Sequence, residues 1–332
     1  MTSRHRLWLL SLAGISLALL LLGLSIGSSG WSPLYQHDDA VMQQILWDIR
    51  APRVLGAWLA GALLALAGAV AQGLFRNPLA DPYLLGCSAG ASLGVALLLF
   101  MMGFSPTATA FALRVGMTGA AFAGAILAVL LTLLLARGVE QSLRLLLAGV
   151  VVGVVLGSGS SLLTLINLDV MRTMQAFMLG STSFLGWNAA LIMGLTLLVC
   201  LMAALACSRS LDALSLGEAT ASSLGVRLSL VRLLLIGTLA LATGAAVAQC
   251  GLIAFVGLVA PHLVRSWGPV THRGLLLLSP LTGGTLLLAA DIAARWVIAP
   301  QELPVGIITA LLGGTYLLWL MHRRPAGLGA KR

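Results

Sequence analysis

The chain has 332 residues, of which 59% are hydrophobic and only 9% are charged, and its mean hydropathy is +1.03. Soluble globular domains carry about a quarter charged residues, so this composition excludes a water-soluble fold and indicates a membrane protein with many spans. The formal net charge of +9 reflects basic residues near the ends of the predicted spans. This charge is explained by basic residues that orient the spans in the membrane, so it does not indicate a nucleic-acid partner.

Apolar runs of about 20 residues recur along the chain, and each can cross a hydrocarbon core of about 30 Å as a helix. They predict an all-α polytopic membrane protein with about ten transmembrane helices, at residues 7–27, 54–75, 84–103, 115–136, 144–167, 186–207, 230–249, 252–267, 275–297 and 304–321. Residues 230–267 form one apolar stretch that is too long for a single crossing. We therefore predict a break near Cys250 and Gly251.

The distribution of basic residues predicts the orientation of the spans. With the amino terminus in the cytoplasm, most of the 19 Arg and Lys residues fall at the cytoplasmic side. The positive-inside rule thus predicts a multi-pass protein of the inner membrane with both termini cytoplasmic. The first apolar run follows a basic start and resembles a secretory signal, but its apolar core is longer than usual, so a retained first helix is favoured.

Residues 1–332 are predicted to form a single transmembrane domain, because no linker or soluble domain interrupts the spans. A short match points to an inverted repeat within it. The sequence Ala-Val-Ala-Gln occurs at 69–72, near the end of the second span, and again at 246–249, near the end of the seventh. An offset of five helices makes the two copies run in opposite directions, a common plan among transporters.

No catalytic, cofactor-binding or metal site is predicted. The only lysine is Lys331, so the chain lacks the GxxxxGK[ST] motif that holds ATP phosphates. The histidines form no HxxxH pair, and the four cysteines form no CxxC pair. The acidic residues fall in loops or towards helix ends, which disfavours an ion-driven secondary transporter or channel, although this class remains the alternative. An integral-membrane enzyme would require a cluster of polar catalytic side chains.

Polar elements at the two membrane faces are the remaining candidates. The long inner loop "SRSLDALSLGEATASSLGVR", about residues 208–227, predicts one or two short surface helices closed by Gly225. It is either a docking element for a soluble partner or an exposed connector. On the outer side, Arg50, Arg53 and Arg295 either form ion pairs with an external protein or lie at the lipid interface.

A third polar element is the elbow "RNPLADPYLLGCSAG", residues 76–90, which contains two prolines and connects two apolar runs. Together with "GLIAFVGLVAPHLVRSWG" (251–268) and "QELPVGIITALLGG" (301–314), it resembles the FecCD family of ABC importer permeases. The resemblance covers most of the chain. It implies the type II ABC importer permease fold, in which two copies form a homodimer with two ABC ATPase subunits and a periplasmic substrate-binding protein.

The resemblance also implies roles for particular residues. The positions expected to couple to the ATPase are Leu216, Gly217, Glu218 and Gly225. Those expected to receive the binding protein are Arg50, Arg53 and Arg295, and those expected to form the cytoplasmic gate are Asn77, Leu79, Ser142 and Leu143. Two departures affect these expectations: Leu143 is bulkier than in some relatives, and residues 313–316 lack a proline that many relatives have.

The expected cargo is a bulky metal chelate carried into the cytoplasm. Cobalamin or another corrinoid is slightly favoured over haem and ferric siderophore from overall likeness alone, because no residue in the sequence discriminates among them. By the same resemblance, the fifth span lines the translocation path and the segment "LDVMRTMQAFMLGS" forms a short outer helix.

Overall fold

The computed structural model describes residues 3–27, 30–31, 40–102, 110–136 and 142–323. Two strands of two residues each, β1 (Ile26–Gly27) and β2 (Gly30–Trp31), pair antiparallel. The helices are α1 (Ser3–Ser25), α2 (Ala40–Gln44), α3 (Ala51–Leu74), α4 (Cys87–Met102), α5 (Ala110–Leu135), α6 (Ser142–Ile166), α7 (Leu168–Leu179), α8 (Trp187–Ala206), α9 (Ser208–Ser215), α10 (Glu218–Ser223), α11 (Leu228–Cys250), α12 (Val256–Ser266), α13 (His272–Trp296) and α14 (Val305–Arg323). A π-helical turn (Ile45–Arg50) joins α2 to α3, and a 3-10 helix (Pro82–Leu85) precedes α4.

Each of the ten predicted spans coincides with a helix. In the described part of the chain, seven helical segments are long and apolar enough to cross a membrane: α1, α2–α3, α5, α6, α8, α11 and α13. Two shorter apolar helices, α4 and α14, coincide with the third and tenth predicted spans. The eighth span is the exception in length, because α12 has only 11 residues.

The predicted break in the long apolar stretch is confirmed. Helix α11 ends at Cys250, and Gly251 follows it with φ of +71°, a left-handed conformation that favours glycine. The chain then runs without helical structure to Phe255 before α12 begins. These non-helical residues explain why α12 is short. The Leu252 N–H donates to the Phe177 carbonyl at 3.1 Å, so the exposed backbone of the break is satisfied by α7.

Helix α3 lies at the centre of the protein and is buried along almost its whole length. It packs against α8, α11, α12 and α13. Its contact with α12 is close enough that a Cβ added to Gly68 would collide with the Gly257 carbonyl. Small residues permit this approach of two backbones, which is how membrane helices gain packing energy.

The helix ends define two faces of the protein. We call the face that holds residues 75–86, 207–227 and 267–272 the elbow face, because Arg76 pairs with Glu218 and His272 pairs with Asp212. The face that holds residues 45–50, 180–186 and 297–304 is the opposite face. Helix α3 runs from the opposite face to the elbow face, whereas α11 begins at the elbow face. The two Ala-Val-Ala-Gln copies therefore lie near the ends of helices with opposite directions, as an inverted repeat requires.

The peripheral helices α5, α6 and α8 leave large apolar side chains exposed along their length. This pattern is the reverse of a soluble protein and fits a lipid environment.

Helix α1 packs against the rest of the protein: the indoles of Trp8 and Trp267 stack with ring centroids 4.7 Å apart, and the Trp58 indole N–H donates to the Ser16 hydroxyl at 3.2 Å. These contacts join α1 to α3 and to the residue that follows α12.

Candidate coupling and gate site

The elbow is a turn built by its own polar side chains. The Asn77 carboxamide oxygen accepts the Leu79 N–H at 2.9 Å, and the Asp81 carboxylate accepts the Tyr83 N–H at 2.8 Å. Both are local bonds of the kind that Asn and Asp form in turns. Arg76 has φ of +50°, which turns the backbone sharply after α3. Asn77 therefore has a structural role in this turn.

Two titratable groups of the elbow lie in a low-polarity setting. Burial raises the pKa of the Asp81 carboxyl from 3.8 to about 6, although the hydrogen bond from Tyr83 opposes the shift. Burial also raises the pKa of the Tyr83 phenol, and its hydroxyl donates to the Ile253 carbonyl at 3.0 Å. This bond joins the elbow to the non-helical residues that follow α11.

The elbow packs against α6, on which the other two predicted gate residues lie. The contact is made where Gly149 meets the Leu84 carbonyl, so closely that an added Cβ would collide. Gly149 lies nearly two helical turns after Leu143 on α6. Leu79 and Leu143 both have exposed side chains, and Ser142 begins α6 with a side chain outside the described part. The structure brings the elbow and α6 together, and the gate itself stays a prediction.

The predicted coupling loop forms two short helices, α9 and α10, as the sequence indicated. Gly217 separates them with φ of +112°, and Gly225 ends α10 with φ of +81°. The Gly225 N–H donates to the Ser222 carbonyl and the Val226 N–H to the Ala221 carbonyl, which is the pattern of a glycine-terminated helix. The two glycines thus fix the shape of this coupling segment, residues 207–227.

One side of the coupling segment is anchored and the other is free to meet a partner. Leu211, Leu214 and Ala221 are buried against the spans. Leu216 and Leu224 are 67% and 64% exposed, at the ends of α9 and α10. Exposed leucines at the ends of two anchored helices form a surface that a soluble protein can contact.

Ionic contacts connect the coupling segment to the elbow and to two spans. The Glu218 carboxylate lies 2.5 Å from the Arg232 guanidinium in α11 and 3.7 Å from that of Arg76 in the elbow. The Asp212 carboxylate accepts both the His272 N–H at 3.0 Å and the His272 Nδ1–H at 2.8 Å, at the first residue of α13. A displacement of the coupling segment would therefore act on the elbow, α11 and α13 together.

The opposite face holds a buried cluster of charges, which we call the arginine cluster. It consists of Arg53, Asp291, Arg295 and Glu302 with the hydroxyls of Thr182 and Ser183. Asp291 is fully buried; one of its carboxylate oxygens accepts from the Arg53 guanidinium at 3.1 Å and the other lies 2.8 Å from that of Arg295. Two guanidinium groups and two carboxylates face one another, so their formal charges cancel.

The three arginines predicted to dock a binding protein are all buried in this single chain. Arg53 is 8% exposed and Arg295 is 1% exposed, and both pair with carboxylates of the chain itself. Arg50 is also 8% exposed and donates to the Leu24 carbonyl at 3.0 Å. Their docking role stays a prediction, while their contacts give them a role in holding the opposite face together.

Several site residues were missed by the sequence reasoning, although a local signal marked one of them. Asp291 and Arg295 are spaced i,i+4 on one helix, which is the spacing of a helical ion pair. The partner Arg53 lies 238 residues before Asp291, and Glu302 lies beyond the end of α13, outside the periodicity of that helix. At the elbow face, Arg76, Arg232 and Asp212 were likewise missed, because no short-range pattern connects them to Glu218 or His272.

Taken together, many apolar helices of membrane-spanning length, with two short anchored helices at one face, are the architecture of a membrane transport subunit. The match to a family model makes this specific. The chain belongs to the FecCD transport family, whose model matches residues 10–323.

Relatives and a solved structure agree with this assignment. The chain is 39% identical to the hemin transport system permease protein HmuU of Yersinia pestis, with 93% of this chain and 94% of that protein covered. It is 38% identical to the vitamin B12 import system permease protein BtuC of Shigella boydii, with 95% and 94% covered. A metal-chelate type ABC transporter solved in an inward-facing conformation superposes with a TM-score of 0.85 at 31% identity, covering 95% of this chain and 99% of that one.

Proposed function

We propose that the chain is the permease subunit of an ABC importer that carries a metal chelate from the periplasm to the cytoplasm, while a separate subunit hydrolyses ATP. The observation that carries this proposal is the family match over residues 10–323. The anchored coupling segment supports it, because a permease without its own ATPase needs a surface on which the ATPase acts.

The proposal includes an arrangement of partners. Residues 1–332 form one transmembrane domain, two copies form a homodimer in the inner membrane, and two ABC ATPase subunits bind the elbow face. A periplasmic substrate-binding protein binds the opposite face. This orientation puts both termini in the cytoplasm, and the excess of basic residues at the elbow side supports it.

In the proposed mechanism, the ATPase moves the coupling segment and the coupling segment moves the gate. Leu216 and Gly217 lie at the exposed joint between α9 and α10, and Glu218 follows directly. Through its contacts with Arg76 and Arg232, Glu218 would pass the displacement to the elbow and to α11. Gly225 would keep α10 short enough to move as a unit. The local hydrogen bonds of the elbow make it a stiff element, suited to switching as one body.

The gate in this proposal is formed by Asn77 and Leu79 of the elbow and by Ser142 and Leu143 at the start of α6. The two leucines carry the barrier, because their exposed apolar side chains can close a path to a polar cargo. Asn77 holds Leu79 in position through its bond to the Leu79 N–H. A leucine at position 143 predicts a tighter closure than a small polar residue would give.

The docking role of Arg50, Arg53 and Arg295 is proposed in a modified form. Because Arg53 and Arg295 already pair with Asp291 and Glu302, they support the docking surface from beneath. Glu302 is the most accessible of the four charged members of the arginine cluster, with a side chain 23% exposed. A carboxylate of the binding protein could compete with Glu302 for Arg53, which would couple docking to this cluster.

The proposed cargo is a tetrapyrrole-type metal chelate, either haem or a corrinoid. Relatives named for hemin and for vitamin B12 have 39% and 38% identity to this chain, so overall similarity does not separate the two. Ferric siderophores remain a third candidate. The purified cognate binding protein, titrated with haemin, cyanocobalamin and a ferric hydroxamate, would rank them by affinity.

Reconstitution tests the proposed function directly. The permease is co-purified with its ATPase, placed in liposomes, and assayed for uptake of labelled chelate in the presence of the binding protein. Uptake should require ATP and should stop when the ATPase carries a substitution of its catalytic glutamate. Uptake by the permease alone under an ion gradient would instead support the ion-driven alternative.

A substitution at Glu218 tests the proposed coupling between the ATPase and the gate. Glu218→Gln keeps the size of the side chain and removes its charge, so ATP hydrolysis should continue while uptake per ATP falls several-fold. Asp169→Asn, an exposed carboxylate on α7 at the other end of the spans, serves as the matched control. Equal transport by both variants would contradict the role given to Glu218.

A further inference from the structure

An apolar groove opens on the outside of the helix bundle between α5, α8 and α11. Its volume is about 470 Å³, and its lining residues come from 126–133 of α5 (Thr132 not among them), 199–203 of α8 and 233–241 of α11. The two polar side chains of its lining are already satisfied. The Thr238 hydroxyl donates to the Leu234 carbonyl at 2.8 Å, and the Cys200 thiol to the Thr238 carbonyl at 3.6 Å. Whatever occupies the groove must therefore be apolar where it contacts these walls.

The groove lies in the half of the bilayer next to the elbow face. Helix α11 begins there, α8 leads there into the coupling segment, and the Thr132 hydroxyl of α5 donates to the Leu85 carbonyl of the elbow at 3.0 Å. Residues 233–241 cover about 12 Å along the axis of α11 at 1.5 Å per residue. One leaflet of a hydrocarbon core about 30 Å thick has nearly this depth. The groove thus has the length and position of a lipid acyl chain.

Positive charge lies at the end of the groove where a headgroup would be. Arg227 immediately precedes α11, and it is seven and fourteen residues before Leu234 and Leu241, so the three lie on one side of the helix. Arg209 is exposed just beyond the end of α8. Among the described residues, neither arginine forms an ion pair with a carboxylate of the chain. This arrangement favours an anionic headgroup over a zwitterionic one.

We propose that this groove binds an anionic phospholipid of the leaflet at the elbow face, with one acyl chain between α5, α8 and α11 and its phosphate beside Arg227 and Arg209. The site is separate from the arginine cluster and from the gate residues. The lipid would contact the coupling segment, because Arg209 and Arg227 lie near its two ends. The proposal does not depend on the cargo or on the ATPase.

Gly237 provides a direct test, because it lines the groove and a Cβ added there meets no atom within 4 Å. Gly237→Leu extends a side chain from an unobstructed Cβ position in the groove lining and improves helix propensity. Gly119→Leu is the matched control: Gly119 is exposed on α5 outside the groove lining, and an added Cβ there also meets nothing within 4 Å. Arg227→Gln and Arg209→Gln test the headgroup, with Arg172→Gln on α7 as their control.

Native mass spectrometry of the delipidated full chain, titrated with phosphatidylglycerol and with phosphatidylcholine of the same acyl chains, measures binding. We expect tight binding of phosphatidylglycerol only, its loss in Gly237→Leu, and a weakening of about fivefold for each arginine variant. Equal binding of both lipids, or unchanged binding in Gly237→Leu, would overturn the proposal. A change from dimer to monomer in Gly237→Leu would overturn it as well, because the groove would then be covered by a second copy.

Discussion

The arginine cluster and the contacts of the coupling segment both join distant parts of the chain through charges, but they differ in burial. In the arginine cluster, Asp291 and Arg295 are removed from solvent and their charges are balanced. At the elbow face, Glu218 and Arg76 have side chains 36% and 44% exposed. Buried pairs are costly to separate, whereas exposed pairs contribute little and exchange readily with water.

This difference indicates a division of labour between the two faces. The opposite face behaves as a fixed unit, in which breaking one pair leaves a charge stranded in a low dielectric. At the elbow face Arg232 is buried, but Glu218, Arg76 and Asp212 are partly exposed, so their pairs can be remade at a smaller cost. A transporter that changes shape at one end needs this asymmetry, since the moving parts must have several arrangements of similar free energy.

The largest expected effect is the loss of Asp291. Asp291→Asn keeps the size of the side chain but leaves Arg53 and Arg295 with one carboxylate between them. We expect a destabilisation of about 3–5 kcal/mol, because an uncompensated charge is left buried. The thermal midpoint and the monodisperse yield in detergent measure this destabilisation. A variant as stable as the parent would show that the buried pairs of the opposite face are no more costly to break than the exposed pairs of the elbow face.

The second-largest effect is expected at Asp81 in the elbow, which should make the stability of the protein depend on pH. Because burial raises the pKa of Asp81 from 3.8 to about 6, the folded state binds this proton more tightly than the unfolded state. The free energy of unfolding should therefore fall as pH rises from about 4 to about 6, by about 1–3 kcal/mol. Asp81→Asn remains neutral and should flatten this slope in thermal unfolding followed across pH. Parallel slopes in the variant and the parent would contradict the burial of this carboxyl.

A smaller effect is expected at Asp212, which accepts the first N–H group of α13 from outside the helix. Asp212→Ala removes this acceptor and should destabilise the protein by about 1 kcal/mol, the usual cost of losing a helix cap. Asp212→Asn retains an acceptor oxygen and should recover most of the loss. Equal midpoints for the alanine and asparagine variants would show that the cap does not matter.

The smallest effect on stability is expected for Arg76→Ala. Its pair with Glu218 spans 3.7 Å between exposed side chains, so its removal should cost less than about 1 kcal/mol, and less still at high salt. Transport per ATP should nevertheless fall, because the link from the coupling segment to the elbow is cut. If Arg76→Ala destabilised the protein as much as Asp291→Asn does, the charge pairs of the two faces would contribute equally to stability, against this expectation.

Much of the fold was predictable because a membrane imposes simple rules on sequence. Hydrocarbon thickness sets the length of each apolar run, and this gave ten segments that coincide with helices. The break at Gly251 followed from the excess length of one run. The length of α12 was overestimated, because the sequence of residues 251–255 is as apolar as a helix although its backbone is not helical.

The candidate site was predictable only where it is local in sequence. The two helices of the coupling segment and the role of Gly225 could be derived from a stretch of twenty residues. The burial of Arg53 could not, because its partner Asp291 is 238 residues away. Pairing across such a distance depends on the tertiary packing of α3 against α13, which no single-sequence pattern encodes.

The end of α1 depends on a side chain that is synthesised much later. The Arg295 guanidinium donates to the Gly23 and Ile26 carbonyls at 3.0 and 2.6 Å, across 272 residues of chain in the first case. During co-translational insertion, the first helix therefore enters the bilayer before the residue that contacts these carbonyl groups in the folded protein has been made. Its final seating must wait until nearly the whole polypeptide has left the ribosome, so truncated chains should retain a loosely held, protease-accessible first segment.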